Sequence, residues 1–168
     1  MINIALAGFG LVGKSFYELI KNDVHVKYVL IKNIENKKNN SKVNFVDNFD
    51  LIAKDMSVNV IVECISDPDV AFNLIKSCLL SGKDIITCNK ILIKTKLVEL
   101  SSIANQNNCI IYLSSIPSGS RPEEFIFPIT HINFQSQIDR MPFIFRGGGA
   151  EETADMMRRD LLEILKSH

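Results

Sequence analysis

Three glycines near the start of the chain could hold the phosphates of a nucleotide. Gly8, Gly10 and Gly13 have the spacing G-x-G-x-x-G, between an apolar run at residues 2–7 and apolar residues at helical spacing. In that context the first glycine permits a tight turn, the second leaves room for a pyrophosphate, and the third lets helix and strand approach closely. The start of the helix adds unpaired N–H groups that favour an anion. The predicted dinucleotide-binding turn comprises Gly8, Phe9, Gly10, Leu11, Val12 and Gly13; the alternative is a closely packed glycine turn without a ligand.

The end of the second apolar run indicates which dinucleotide would bind. A carboxylate about 20 residues after the glycines usually bonds the ribose 2′-hydroxyl of NAD, whereas a cation accommodates the 2′-phosphate of NADP. Here the run ends at Lys32 and Asn33, and neither is a carboxylate. We therefore predict NADP as the cofactor, with NAD as the alternative. Lysines of this kind also occur in loops that only face solvent.

The rest of the chain alternates between strand and helix patterns. Apolar runs predict strands at 24–31, 58–65, 84–88 and 109–114, and periodicity predicts helices near 47–54, 68–81, 91–106 and the C-terminal end. Pro68 at a helix start and Gly82 just past its end support one of these helices. Such alternation requires right-handed parallel crossovers. The pattern predicts an α/β fold with a doubly wound, mostly parallel sheet, the Rossmann NAD(P)-binding fold.

A length of 168 residues suits one domain with a single core. Within residues 1–168 we expect a Rossmann core at 1–115, an irregular segment with one or two strands at 116–146, and an amphipathic helix at 147–168 that packs back on the core. Five of the ten phenylalanines lie in residues 125–145. That much apolar surface predicts a homodimer with 125–145 at its interface. The alternative is that these side chains cover the sheet within a monomer.

Composition argues against several classes of function. Nineteen basic residues balance nineteen acidic ones without a basic stripe, so nucleic acid is not an expected partner. The chain shows no apolar stretch of bilayer length and opens on a strand pattern rather than a signal peptide, so we expect no membrane association and a cytoplasmic location. The four cysteines lack CxxC or Cys/His spacing, which favours reduced core thiols and no metal centre.

Several segments together resemble homoserine dehydrogenase. Residues 8–13 resemble its opening G-x-G-x-V-G, and residues 60–64 resemble its V-V-V-E strand, beside which the nicotinamide end of the cofactor passes. The most specific match is 82–90, which resembles G-K-x-V-V-T-A-N-K, and fainter similarities follow at 112–119 and 147–161. The lysine of the most specific motif lies at the family's active site, so the resemblance implies Lys90 as a catalytic residue. It also implies cofactor contacts at Cys64, Ile65, Ser66, Asn89, Gly148, Gly149 and Thr153.

The chain also departs from this family. Leu113 replaces the glutamate of the family's Y-E-A-S motif, and Glu151 replaces the glycine that follows G-x-G-A. Only about thirty residues separate Ser114 from Gly147, where the family has a whole substrate domain. The resemblance therefore covers 1–120 and 143–166 and leaves out the segment that carries the substrate ligands.

Two functions remain open. The first is a small NAD(P)-dependent oxidoreductase that transfers hydride from NADPH to a carbonyl or imine. Its substrate, a peptide, a carrier-bound group or part of a partner protein, would close the open site itself. Lys90 would then polarise or protonate the acceptor, with Ser115, Arg121 and Glu152 as further polar candidates. The second is a non-catalytic dinucleotide-binding sensor or scaffold, in which Lys90 only opens a surface helix. Homoserine dehydrogenase activity itself ranks third.

Overall fold

The computed structural model describes residues 2–34, 43–114 and 149–167. The six strands are β1 (Asn3–Ala7), β2 (His25–Leu30), β3 (Phe45–Val46), β4 (Val58–Glu63), β5 (Asp84–Thr87) and β6 (Ile111–Leu113). The five helices are α1 (Leu11–Ile20), α2 (Phe49–Lys54), α3 (Pro68–Leu80), α4 (Lys90–Gln106) and α5 (Ala150–Ser167). The segment 125–145, the predicted dimer interface, lies outside the described residues, as do Ser115 and Arg121. The homodimer therefore stays a prediction.

The strands form one parallel sheet in the order β3-β2-β1-β4-β5-β6. The order runs outward in both directions from the β1–β4 pair at its centre, so the predicted doubly wound α/β sheet is confirmed. The edge strand β3 was not predicted. It pairs Phe45 with Val29 and Val46 with Leu30, and two residues are too short for a strand pattern in the sequence.

Two apolar layers cover the sheet. On one face, Ile61 and Ile85 pack with the α3 residues Leu74 and Leu79. On the other face, buried sheet residues pack against α1 and α5; this layer includes Leu6, Phe16, Val62, Ile86, Met157 and Leu161. Parallel strands need apolar side chains on both faces because helices cover both. That requirement explains the mostly apolar sequence of β4, which is buried at all positions except Asn59.

Helix α5 returns to the sheet beside α1. Ala154, Met157, Leu161 and Ile164 are buried at helical spacing. The Ser114 hydroxyl, at the end of β6, donates to the Asp160 carboxylate of α5, and both side chains are buried. This polar contact fixes the position of α5 at the carboxyl edge of the sheet. Among the helices of the described ranges, none is long and apolar enough to cross a membrane.

Candidate functional site

The carboxyl ends of β1 and β4 meet at the centre of the sheet, where the strand order reverses. The chain leaves β1 toward α1 on one face and leaves β4 toward α3 on the other. Helices that diverge in this way open a crevice outside the strand ends, the usual ligand site of an open parallel sheet. The Cys64 N–H donates to the Ala7 carbonyl at 2.7 Å and holds the two strand ends together at the base of this crevice.

Gly8 begins the turn after β1, and two features of the structure require glycine at this position. Its φ of +97° is a left-handed conformation that favours glycine. A Cβ at this position would also lie 2.7 Å from the Cys64 carbonyl oxygen. The Gly8 N–H donates to the Leu30 carbonyl at 3.0 Å. The turn is therefore held against the ends of both neighbouring strands.

Gly13 lies inside α1 and is buried. A Cβ there would lie 2.2 Å from the Gly8 carbonyl oxygen, closer than any real contact. The third glycine thus allows the first turn of α1 to rest on the loop that precedes it, as the sequence pattern predicts.

Gly10 differs from the other two glycines. Its φ of −78° is open to any residue, and a Cβ on it would find no atom within 4 Å. Gly10 is the N-cap of α1 without a side-chain cap, and the first turn of α1 carries no acidic residue. The first N–H groups of a helix have no intrahelical partner, and the space beside Gly10, at the start of α1, is open. This arrangement fits a phosphate group, since the space is open and the helix terminus favours negative charge.

Phe9 and Lys32 occupy the side of the crevice toward β2. The Phe9 ring makes edge-to-face contacts with Tyr17 at 5.7 Å and Phe45 at 5.4 Å between centroids, so it anchors the turn to α1 and β3. Lys32 and Asn33 are exposed just beyond the end of β2, whose last residue accepts the Gly8 hydrogen bond. The sequence-predicted residues of the nucleotide end are therefore brought together.

Cys64, Ile65 and Ser66 form the loop between β4 and α3. The Cys64 carbonyl lies against Gly8, and Ser66 is exposed. Asn89 crosses to this loop from the end of β5, because its Nδ2 donates to the Ile65 carbonyl at 3.0 Å. Its Oδ1 accepts from the Leu92 N–H at 3.0 Å and caps α4. Asn89, which sequence reasoning assigned to the cofactor, thus positions the two loops relative to each other.

Lys90 is the first residue of α4 and is half-buried. It follows Asn89 directly at the carboxyl edge, next to the loop after β4. On the α5 side, Gly149 is exposed and its carbonyl accepts from the Thr153 N–H at 3.1 Å. Thr153 lies one turn before Met157, whose Sδ is 3.8 Å from Cys64 Sγ, so the start of α5 approaches the same edge. Gly148 lies outside the described residues, and Glu152 is exposed in the first turn of α5.

Glu63 is a functional candidate that sequence reasoning missed. It ends β4 with its side chain fully buried. The Thr87 hydroxyl donates to one carboxylate oxygen and the Ile65 N–H donates to the other, while Thr87 Oγ1 also accepts from the Asn89 N–H at 3.1 Å. Burial raises the pKa of Glu63 to about 7, against the effect of the two hydrogen bonds. The available signal was a carboxylate at the end of a mostly apolar strand.

Glu63 makes the stability of the fold depend on pH. Its folded pKa of about 7 lies above the ordinary value of 4.5, so between these pH values the folded state keeps a proton that the unfolded state has lost. The stabilisation that protonated Glu63 gives to the folded state is therefore fully present below pH 4.5 and is lost as the pH rises through 7. Between pH 5 and pH 8 the wild type should lose this stabilisation, whereas Glu63→Gln has no carboxyl to titrate. The unfolding free energy of Glu63→Gln should therefore rise by about 2–3 kcal/mol relative to that of the wild type over this range. Urea unfolding at both pH values measures this gain.

Glu99→Gln is the matched control, because Glu99 is an exposed glutamate of α4. Its gain over the wild type between pH 5 and pH 8 should be much smaller than that of Glu63→Gln, because interactions of exposed carboxylates contribute little to stability. Equal gains in the two variants would show that burial of Glu63 does not make stability depend on pH.

With this geometry in place, comparisons with known proteins identify the family. Residues 8–114 match the family model described as homoserine dehydrogenase, NAD binding domain. The chain belongs to this family. The match begins at the glycine turn after β1 and ends at Ser114, just past β6.

Individual relatives of the homoserine dehydrogenase NAD-binding domain agree with this match. Homoserine dehydrogenase of Bacillus subtilis is 28% identical over 135 residues, which is 72% of this chain and 31% of that protein. The crystal structure of S. aureus homoserine dehydrogenase at pH 7.5 superposes with a TM-score of 0.64 at 25% identity, over 71% of this chain and 33% of that one. A hyperthermophilic archaeal homoserine dehydrogenase in complex with NADPH shares the fold, with a TM-score of 0.57 at 22% identity, over 68% of this chain and 44% of that one.

The chain spans about a third of the length of the curated relatives it matches. What is shared is the NAD(P)-binding unit of an oxidoreductase family. Within the described ranges, no group of three or more His, Cys, Asp or Glu side chains is placed to hold a metal ion.

Proposed function

We propose that this chain binds NADPH across the carboxyl edge of the sheet and acts as an oxidoreductase on a carbonyl or imine. The observation that carries the proposal is the open space at Gly10, beside the start of a helix that has no acidic residue in its first turn. A pyrophosphate placed there would meet backbone N–H groups and a partial positive charge. The family match over 8–114 supports the same ligand class.

Other residues of the crevice would bind the remaining parts of the cofactor and the substrate. Lys32, exposed beyond β2, would attract the 2′-phosphate. The loop 64–66 would hold the nicotinamide end, because it lies against the glycine turn through the Cys64 carbonyl. When bound, the dinucleotide supplies a hydride. Lys90 would polarise or protonate the acceptor oxygen or nitrogen from the start of α4. The substrate, a peptide, a carrier-bound group or part of a partner protein, would exclude water by closing the site itself.

Cofactor choice is the first test. Isothermal titration should show tighter binding of NADPH than of NADH, because a lysine rather than a carboxylate follows β2. Lys32→Glu should weaken NADPH binding about tenfold, a loss of ~1.4 kcal/mol. It should not weaken NADH binding, because a carboxylate at this position can bond the ribose 2′-hydroxyl. Lys54→Glu makes the same charge change at an exposed lysine of α2, away from the crevice, and should leave both affinities unchanged. Equal affinities in the wild type would refute the assignment to NADPH.

Catalysis is tested separately from binding. Oxidation of NADPH, followed by the absorbance of the reduced nicotinamide, should be measured against a panel of aldehydes, ketones and imines. With a substrate that reacts, Lys90→Ala should keep its NADPH affinity and lose about 10²-fold or more in turnover, the contribution typical of a positioned acid. Undiminished turnover in this variant would reject Lys90 as a catalytic residue.

The second candidate is a non-catalytic dinucleotide sensor or scaffold. This function is favoured by the length of the chain, which spans about a third of the length of its curated relatives. Tight NADPH binding without turnover on any carbonyl or imine would support this function. Turnover that depends on Lys90 would exclude it.

A further inference from the structure

Three sulfur atoms converge at the carboxyl edge, on the face of the sheet that α1 and α5 cover. Cys64 follows β4, Cys88 follows β5, and Met157 belongs to α5; all three belong to the same apolar layer. Cys64 Sγ lies 3.8 Å from Met157 Sδ. Both cysteines are free thiols and half-buried, whereas the Met157 side chain is fully buried.

The register of the sheet brings the two thiols side by side. Glu63 pairs with Thr87 at the last position of the β4–β5 ladder, so Cys64 and Cys88 come next on adjacent strands. The Cys88 N–H donates to the Glu63 carbonyl at 3.4 Å, which continues the pairing by one residue. The Cys88 thiol, together with burial, holds the pKa of Cys64 well above its usual range, as expected for two thiols in contact.

This arrangement matches the needs of a soft metal ion. Three sulfur ligands about 2.3 Å from one ion in a trigonal plane are about 4 Å apart, close to the 3.8 Å between Cys64 and Met157. Thiolates and thioethers together select Cu(I), because both are soft donors. Zinc is disfavoured, since its structural sites take four ligands from thiolates, imidazoles and carboxylates rather than thioethers.

We propose that Cys64, Cys88 and Met157 form a binding site for one Cu(I) ion. Two thiol protons leave to solvent as two thiolate–copper bonds form, and the thioether completes the site without losing a proton. The copper keeps its oxidation state throughout. The proposal does not rest on cofactor binding. Cys64 also belongs to the loop 64–66, but its carbonyl lies against the glycine turn and its sulfur is the proposed copper ligand.

A disulfide between the two thiols fits the geometry less well. Side-by-side positions on neighbouring strands are separated by about 4.8 Å, whereas the Cβ atoms of a disulfide lie about 3.8 Å apart. A metal ion bridges the larger gap without moving the strands. The disulfide is therefore the competing outcome in the experiment.

The test is an anaerobic titration of the reduced full chain with Cu(I), in competition with a chromophoric Cu(I) chelator. One equivalent should bind, and Cys64→Ser with Cys88→Ser should abolish that binding. Met157→Leu should weaken it at least about tenfold. Met156→Leu is the matched control, since Met156 is a buried neighbour on the same helix that lies outside the sulfur cluster, and it should bind Cu(I) like the wild type.

Circular dichroism shows whether each variant keeps its fold. If the double cysteine variant unfolds, the comparison of Met157→Leu with Met156→Leu still tests the proposal. Three results would overturn the proposal: Cu(I) binding that survives loss of both thiols in a folded protein, equal affinities of the two methionine variants, or a reduced protein that binds no Cu(I) but forms a Cys64–Cys88 disulfide in air.

Discussion

Gly10→Val is expected to abolish NADPH binding while the protein stays folded. The backbone at Gly10 accepts any residue, and its Cβ would meet no protein atom within 4 Å. The valine side chain would instead fill the space that the proposed pyrophosphate needs at the start of α1. We expect a loss of more than about 100-fold in affinity, equivalent to ~2.7 kcal/mol. Valine is a poorer N-cap than glycine, which costs about 1 kcal/mol in stability.

Gly82→Ala is the control for that small loss of stability. Gly82 has a φ of +73° with open space around it, so alanine there should also cost about 1 kcal/mol. Gly82 precedes β5 at the amino edge of the sheet, opposite the crevice, and its variant should bind NADPH normally. Isothermal titration of both variants gives the comparison. Full NADPH affinity in Gly10→Val would mean that the glycine turn holds no phosphate.

Gly13→Ala should show the largest loss of stability. Its Cβ would lie 2.2 Å from the backbone oxygen of Gly8, and a backbone atom cannot rotate away as a flexible side chain can. Either α1 or the turn must shift, and Gly8 cannot yield toward β4, because the Cys64 carbonyl already lies against it. We expect a loss of about 3 kcal/mol or more in unfolding free energy.

Urea unfolding followed by circular dichroism measures this loss, with Gly82→Ala as the same substitution at an open position. The variant with alanine at position 13 should unfold at a clearly lower urea concentration than the one with alanine at position 82. Equal midpoints would show that the contact between α1 and the turn is loose.

Much of the fold could be predicted from the sequence because its signals are local. The apolar run of β4 follows from burial on both faces. Helix α3 begins after Asp67, whose carboxylate accepts from two N–H groups, and continues with Pro68. The spacing of Gly8, Gly10 and Gly13 indicated the turn without any structure. Strand β3 was missed because two residues carry no periodicity; their place is decided by pairing with β2.

The sequence by itself determined most of the strands and helices and the glycine turn between β1 and α1, since backbone conformation and apolar periodicity depend on neighbours along the chain. Only the tertiary structure decided which atoms crowd these glycines: the distant Cys64 carbonyl lies against Gly8, the Gly8 carbonyl lies against Gly13, and no atom lies within 4 Å of a Cβ at Gly10. The same holds for Glu63. Its raised pKa arises from burial among strands that meet only in the folded sheet, so the sequence could show a carboxylate at the end of a strand but not the shift of its pKa.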